Sequence, residues 1–335
     1  MESEYSNDEY TVAWICALQD EFDVAIAMLS HEHGLPQHLP ESDSNAYILG
    51  EIGEHKIVLA CLPAGRTGVH SAAAVVENMR RTFSSLRFGL LVGIGGGVPN
   101  LANGVDIRLG DIAVSVPHGP YGGVVQYDYG KSEAGDTFNH CGQLNSPPEK
   151  LLSYVSILQS FQRRLKNPRN LVRQFLDELD EYSDEYGYPD IEDRLFRPDC
   201  MHTTGPDQVD ECNLCDTTQL VHRKRRRNSD PAIHLGLIAS GNTVIRDSTK
   251  RDRINREYGN SIICFEMEAA GLMNNFPCLV IRGISDYADS HKNDNWRYRA
   301  IATASAYAKS LLTLVRPSEV SAIPEIRKVM ATGKC

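Results

Sequence analysis

The sequence predicts an α/β domain, on two observations. Short β-rich apolar runs recur along two separated stretches, each followed by a helical pattern or a turn cluster. Most of these runs are continuously apolar rather than alternating, the texture of strands buried on both faces of a sheet. With 335 residues, 41% of them hydrophobic and 23% charged, the chain has ordinary globular composition and enough length for one large domain or two small ones.

In chain order the strand-like runs are 11–18, 57–62, 88–93, 111–116, 233–239, 262–265 and 278–282. Between them Phe22, Ala25, Ile26 and Leu29 repeat at helical spacing, as do Ala72, Val75, Val76, Met79 and Phe83. A third set, Ile301, Ala304, Ala308, Leu311, Leu312 and Val315, is closed by Pro317. Each pattern predicts an amphipathic helix with one face on the sheet. From about 150 to 230 the texture changes to a helical stretch over 151–179, an acidic tyrosine-rich segment, a cysteine-containing loop and the basic run Arg223 to Arg227. Strand-like runs then resume in the same style, which predicts an insertion within one domain over 1–317 and a peripheral tail over 318–335.

Thirty-four Lys and Arg against forty-four Asp and Glu leave a net charge of -10. Such a surface repels polyphosphate, so nucleic acid is not expected as a partner. The acidic N-terminus lacks the basic and apolar regions of a secretory signal, and no apolar run approaches the ~20 residues of a membrane span. Four of nine cysteines, Cys16, Cys61, Cys264 and Cys278, sit in apolar stretches as small hydrophobes. Together these predict a reducing cytosolic location, with nuclear import left open by the basic run.

Four segments place chemistry-bearing residues just beyond strand-like runs. Gly93, Gly95, Gly96 and Gly97 follow the run over 88–93. Val98 stands where a dinucleotide fingerprint needs a third small residue, and no Gly-Lys-Ser/Thr ending makes a phosphate loop. The segment reads either as unobstructed backbone amides at a strand's carboxyl end or as a tight turn needing positive φ. Glu266 and Glu268 share a parity at the end of 262–265, so one can face a crevice while the other stabilises a helix start. Ser285 and Asp286 end the run over 278–282, where Asp286 reads both as a cap and as a part-desolvated acid. Glu21 opens the first helix. One open sheet could gather Glu21, Gly95, Glu268 and Asp286 into one crevice.

In the insertion Cys200, His202, Cys212 and Cys215 form C-x-H-x9-C-x2-C, ligand types that suit a structural zinc, against the alternative of reduced thiols in a loop.

The ordered motifs ICALQDEFD, LVGIGGGVPN, LGDIAVS, GLIASGNTVI, FEMEAAGL and VIRGISDYAD resemble the nucleoside phosphorylase and nucleosidase superfamily, which includes purine nucleoside phosphorylases and methylthioadenosine/S-adenosylhomocysteine nucleosidases. The texture is closest to fungal nucleosidase-like domains. The resemblance implies a three-layer α/β/α sandwich with a mixed central sheet and a homo-oligomer, most simply a dimer. It also implies a chemistry that needs no metal or cofactor, so that a zinc in the insertion would stabilise it without joining catalysis, and it implies roles. Asp286 would protonate purine N7, Glu268 would hold the ribose hydroxyls, and Glu21 would position water. Met267 would contact the ribose, Val244 and Ile245 would border the base, and Gly95 and Gly96 would lie beside the sugar.

Three departures bear on specificity. Val244 replaces the ring that stacks on the base in the nucleosidases, and Asn242 replaces their aspartate. Leu91 and Ile94 stand where bacterial phosphorylases carry phosphate-binding arginine and serine, which leaves Arg66 and Arg282 as candidates for phosphate, free or on the substrate. The expected activity is hydrolysis of the N-glycosidic bond of an adenine-type nucleoside or nucleotide by water. A phosphate-dependent phosphorylase and a silent nucleoside-sensing module are the alternatives.

Overall fold

In the computed structural model, which describes residues 2–134, 137–163, 170–204 and 212–331, the apolar runs assemble into one mixed sheet. In chain order the elements are β1 (Val12–Cys16), α1 (Gln19–Ala27), β2 (His31–Gly34), β3 (Tyr47–Ile52), β4 (His55–Cys61), α2 (Val69–Thr82), β5 (Phe88–Gly97) and β6 (Ile112–Ser115). There follow β7 (Val124–Gln126), β8 (Gly130–Glu133), β9 (Thr137–His140), α3 (Glu149–Arg163), α4 (Leu171–Tyr182), β10 (Ile233–Ser240) and α5 (Ser248–Glu257). The last are β11 (Ile262–Glu266), β12 (Cys278–Asp286), α6 (Arg297–Leu314), α7 (Pro317–Ala322) and α8 (Ile326–Ala331).

The sheet runs β11-β10-β6-β12-β5-β1-β4-β3-β2, with β7 beside β10. Its central strands β1, β5 and β12 are parallel and buried along almost their whole length, as continuous apolar runs require. Antiparallel pairings of β12 with β6 and of β3 with β4 make the sheet mixed. A further antiparallel contact sets Phe265 of β11 opposite Gly96 of β5. The strands β5, β12, β6, β10 and β11 therefore close on themselves in a ring, and the carboxyl ends of β5, β11 and β12 converge at one rim.

Helices cover both faces, which completes the three layers. Val24 and Met28 of α1, Leu151 and Val155 of α3, Leu176 of α4 and Leu311 of α6 share one core with Trp14, Leu90 and Ile281. Ala72, Val75, Val76 and Met79 of α2 form the other with Ile15, Leu91 and Val280. Helix α6 differs from the expected one-faced helix. Most of its residues are buried, because α4 packs on the side turned away from the sheet. Its many alanines permit that double contact, since they let neighbouring backbones approach closely.

Two further expectations are corrected. The glycine segment is no turn: β5 continues through Gly97, and none of Gly93, Gly95, Gly96 and Gly97 has positive φ. The basic run, which by sequence reads as a solvated charge run or an import signal, is solvated only in part: Lys224, Arg225 and Arg227 are exposed, but the other two are engaged. Arg223 bonds Asp193 and the Tyr287 hydroxyl, while Arg226 is paired with the buried Asp111. Strands β2, β3 and β7 to β9 escape the sequence pattern because they are short, polar or broken by Gly50. From Pro317 to residue 331 the chain lies on the domain, with Val320 and Ile326 buried. Among the described residues no helix is long and apolar enough to cross a membrane.

Candidate active site

At the rim where β5, β11 and β12 end, a cavity of about 270 Å³ opens, lined on its polar side by Glu21, Glu266, Glu268, Arg282 and Asp286. Glu21 sits in the first turn of α1 and is 2% exposed. Its Oε2 accepts from the backbone amides of Ala17 at 2.8 Å and Leu18 at 3.1 Å, and its Oε1 accepts from Ile94 at 2.9 Å. A carboxylate has about four acceptor sites. Backbone amides occupy three, leaving one on Oε1 among the described residues. Burial pushes the Glu21 pKa up, and the nearby Arg282 guanidinium opposes that shift.

The parity of Glu266 and Glu268 resolves as a division of labour. Glu266 turns back and accepts from the amides of Glu268 at 3.1 Å and Ala269 at 3.0 Å, capping the single helical turn Ala269–Gly271. Glu268 crosses the cavity floor. Its Oε1 accepts from the Gly68 amide at 3.1 Å, and its Oε2 accepts from Arg282 Nη2 at 3.2 Å. Two of its acceptor sites remain. Burial raises the Glu268 pKa to about 7 despite Arg282, with Glu266 adding to the rise.

Arg282 lies at the centre of these carboxylates, 1% exposed, with Nη2 also 2.5 Å from Glu266 Oε2. Burial disfavours its charge, yet Glu266, Glu268 and Glu21 outweigh that cost and hold its pKa above the ordinary value. The register that aligns Arg282 with Gly93 explains the glycine. A Cβ on Gly93 would stand 2.5 Å from Glu21 Cδ and 2.7 Å from Arg282 Nη1. Likewise a Cβ on Gly96 would stand 2.9 Å from Asp286 Oδ1. The glycines make room for the charged side chains, not for a bend in the chain.

Asp286 ends β12. Its Oδ1 accepts from the Ala288 amide at 2.8 Å, and its Oδ2 accepts from the Ser285 hydroxyl at 2.9 Å and from Lys292 Nζ at 2.5 Å. Ala288 holds a φ of 51°, an uncommon conformation that keeps the Asp286 loop tightly turned.

Residues 170–316 match the family model described as the phosphorylase superfamily. A nucleotide-binding leucine-rich repeat (NLR)-like protein of Hyaloscypha variabilis is 46% identical over 310 residues, 92% of this chain and 30% of that protein. A 5'-methylthioadenosine/S-adenosylhomocysteine nucleosidase of Treponema pallidum is 34% identical over 93 residues, 26% of this chain and 34% of the relative. The chain thus matches about a third of the length of either curated relative. Among solved structures, the Neisseria meningitidis 5'-methylthioadenosine/S-adenosylhomocysteine nucleosidase superposes with a TM-score of 0.57 at 16% identity, covering 91% of this chain and 99% of that one. The Helicobacter pylori futalosine hydrolase gives 0.56 at 16% identity, with 92% and 100% covered. The fold is that of the phosphorylase superfamily.

Within this phosphorylase-superfamily fold, Glu21, Gly95, Gly96, Val244, Ile245, Met267, Glu268, Arg282 and Asp286 all line the one cavity. Arg66 does not. It is exposed on the loop before α2, and only the neighbouring Thr67 reaches the cavity wall. Asn242 points away too, with its Oδ1 accepting from the Val69 amide at 3.2 Å. Asp289, three residues past Asp286, faces the insertion side and accepts from the His291 amide at 2.9 Å.

Among the cavity residues that sequence reasoning missed, two matter for the chemistry. Lys292 pairs with Asp286, and its only sequence signal is a lone Lys six positions downstream. Phe265 contributes an aromatic wall, 5% exposed and edge-on to Tyr127 at 5.5 Å between ring centres. It reads in sequence as one more apolar strand residue. Val244, where the resemblance places a ring in the nucleosidases, is 51% exposed.

Proposed function

We propose that this protein hydrolyses the N-glycosidic bond of a purine nucleoside or nucleotide, with water as nucleophile and an adenine-type base as leaving group. The observation that carries this reading is the charge balance of the cavity. Each of its three cationic side chains is already paired with a carboxylate: Arg282 with Glu266 and Glu268, Lys292 with Asp286, and Arg297 with Asp20. A phosphate dianion held as nucleophile needs cations and donors of its own. Here it would meet Glu21 and Glu268 instead. The same carboxylates suit the positive charge that develops on the ribosyl ring as the glycosidic bond breaks.

In the proposed reaction Glu268 accepts from the 2'- and 3'-hydroxyls through its two remaining sites. Glu21 uses the remaining site on Oε1 to hold water at the anomeric carbon and takes its proton as the C–O bond forms. Asp286 passes to N7 a proton taken up from the Lys292 ammonium at its Oδ2, so the C–N bond breaks with its electron pair on a neutral base and Lys292 regains its proton from solvent. Phe265, Ile245 and Val244 border the purine. The nucleosidase relatives act on adenine nucleosides by name, which supports the base class.

The test is product analysis. Adenosine, 5'-methylthioadenosine, inosine and ATP are each incubated with the protein, with and without inorganic phosphate. Free base and free ribose species, at a rate unchanged by phosphate, are expected. Ribose 1-phosphate appearing only with phosphate would assign a phosphorylase, and no product from a wider nucleoside panel would leave a binding module.

A further inference from the structure

In the insertion the described residues 195–204 and 212–221 are nearly without regular structure, holding one short bridge between Phe196 and Leu220 and a single helical turn, Thr217–Gln219. Their own core is three buried side chains, Phe196, Cys212 and Cys215, with Cys200 and Leu220 packed beside them. Cys200, Cys212 and Cys215 are free thiols. So thin a core does not by itself offset the entropy of ordering an irregular segment, and segments of this kind use a cross-link or a metal.

The ligand geometry supplies the second observation. His202 Nδ1 lies 3.5 Å from Cys212 Sγ and 3.3 Å from Cys215 Sγ, and the three ligand atoms fall within 4.8 Å of one another. A tetrahedral zinc with Zn–S of about 2.3 Å and Zn–N of about 2.0 Å separates nitrogen from sulfur by roughly 3.5 Å. Cys200 stands two residues before His202 and packs against the same cluster; its Sγ lies outside the group of three and turns to the Met201 carbonyl, so it would join as the fourth ligand by a change of side-chain rotamer. We propose that Cys200, His202, Cys212 and Cys215 form a structural zinc site.

The site has a mechanical consequence. The His202 backbone amide donates to Ser290 Oγ at 3.0 Å, and the Phe196 ring stacks on His291 at 4.0 Å. Both partners belong to the segment between Asp286 and Lys292. Zinc therefore braces, from the side away from the cavity, the loop that holds the Asp286 and Lys292 pair. It touches no substrate and takes no part in bond breaking.

The test uses the full chain, purified without a histidine tag and in reducing buffer. Elemental analysis is expected to find one zinc per chain, retained in Cys141→Ser and lost in the Cys212→Ser/Cys215→Ser double variant. Exchange of the native protein into Co²⁺ should give the intense visible bands of tetrahedral cobalt and a near-ultraviolet thiolate charge-transfer band, weakened in Cys200→Ser. Metal-free native protein, stoichiometric iron, or the weak spectrum of octahedral cobalt would each overturn the proposal. If the serine variants fail to fold, metal content and the cobalt spectrum of the native chain still decide it.

Discussion

The ammonium of Lys292 lies 2.5 Å from Asp286 Oδ2, on the same oxygen that accepts the Ser285 hydroxyl, while Oδ1 is fixed by the Ala288 amide. The carboxyl group is thus held at both oxygens at the cavity wall. Under the proposed reaction Asp286→Asn keeps that shape and loses the transferable proton. Turnover is expected to fall by about 10² to 10⁴, with KM nearly unchanged. Steady-state kinetics beside circular dichroism check this, and a folded variant with parental turnover would remove Asp286 from the mechanism.

Lys292 is the proton-bearing neighbour of that acid. Lys292→Met should lower kcat roughly tenfold, about 1.4 kcal/mol of barrier, while moving KM much less. A change confined to KM would mean that Lys292 only touches substrate.

Glu268 predicts a pH dependence. Its pKa rises from an ordinary 4.5 to about 7 because burial penalises the carboxylate. The folded state therefore binds the proton more tightly than the unfolded chain does. That stabilisation is complete below about 4.5 and is lost as pH rises through about 7. Between pH 5 and pH 8 the thermal midpoint of Glu268→Gln should fall less than that of the parent. Parent turnover should rise over the same window as the hydroxyl-binding carboxylate ionises. Parallel melting curves for the two proteins would refute the assignment.

Gly93→Ala places a methyl group 2.5 Å from Glu21 Cδ and 2.7 Å from Arg282 Nη1. The backbone there is an ordinary strand, so the penalty is steric and falls on the two charged groups. A stability loss of about 1 to 3 kcal/mol is expected by urea unfolding, together with loss of turnover as Glu21 shifts. A variant with unchanged stability and activity would show that the close approach costs nothing.

Arg282→Met leaves Glu266 and Glu268 buried without their cation. Breaking a buried ion pair from one side costs about 3 to 5 kcal/mol. The variant should be strongly destabilised at neutral pH and should regain part of the loss near pH 5, where Glu268 can take up a proton. Denaturant unfolding at the two pH values measures both effects.

The continuously apolar runs ending in 93, 265 and 282 were legible as strands because burial on both faces writes itself into every residue. The charged residues at their ends were legible for the same reason, since a carboxylate after such a run has few places to go. Phe265 was hidden by that logic, because a pocket wall and a core strand share one composition. Lys292 was hidden because a loop between it and Asp286 has no periodicity to read.

The sequence by itself determined that this is an α/β chain, where its principal strands lie, and that Glu21, Glu268 and Asp286 stand at strand ends. Those are consequences of local pattern, carried by neighbours within a few positions. Only the tertiary structure decided how the charges are matched: Arg282 committed to Glu266 and Glu268, Lys292 on Asp286, and Arg66 left outside the cavity. It also decided that Gly93 and Gly96 serve close approach within an extended strand. Such pairings follow from sheet register and from closure of β11 onto β5, which join residues far apart in the chain. Register depends on which strands become neighbours, and no single stretch of sequence carries that choice.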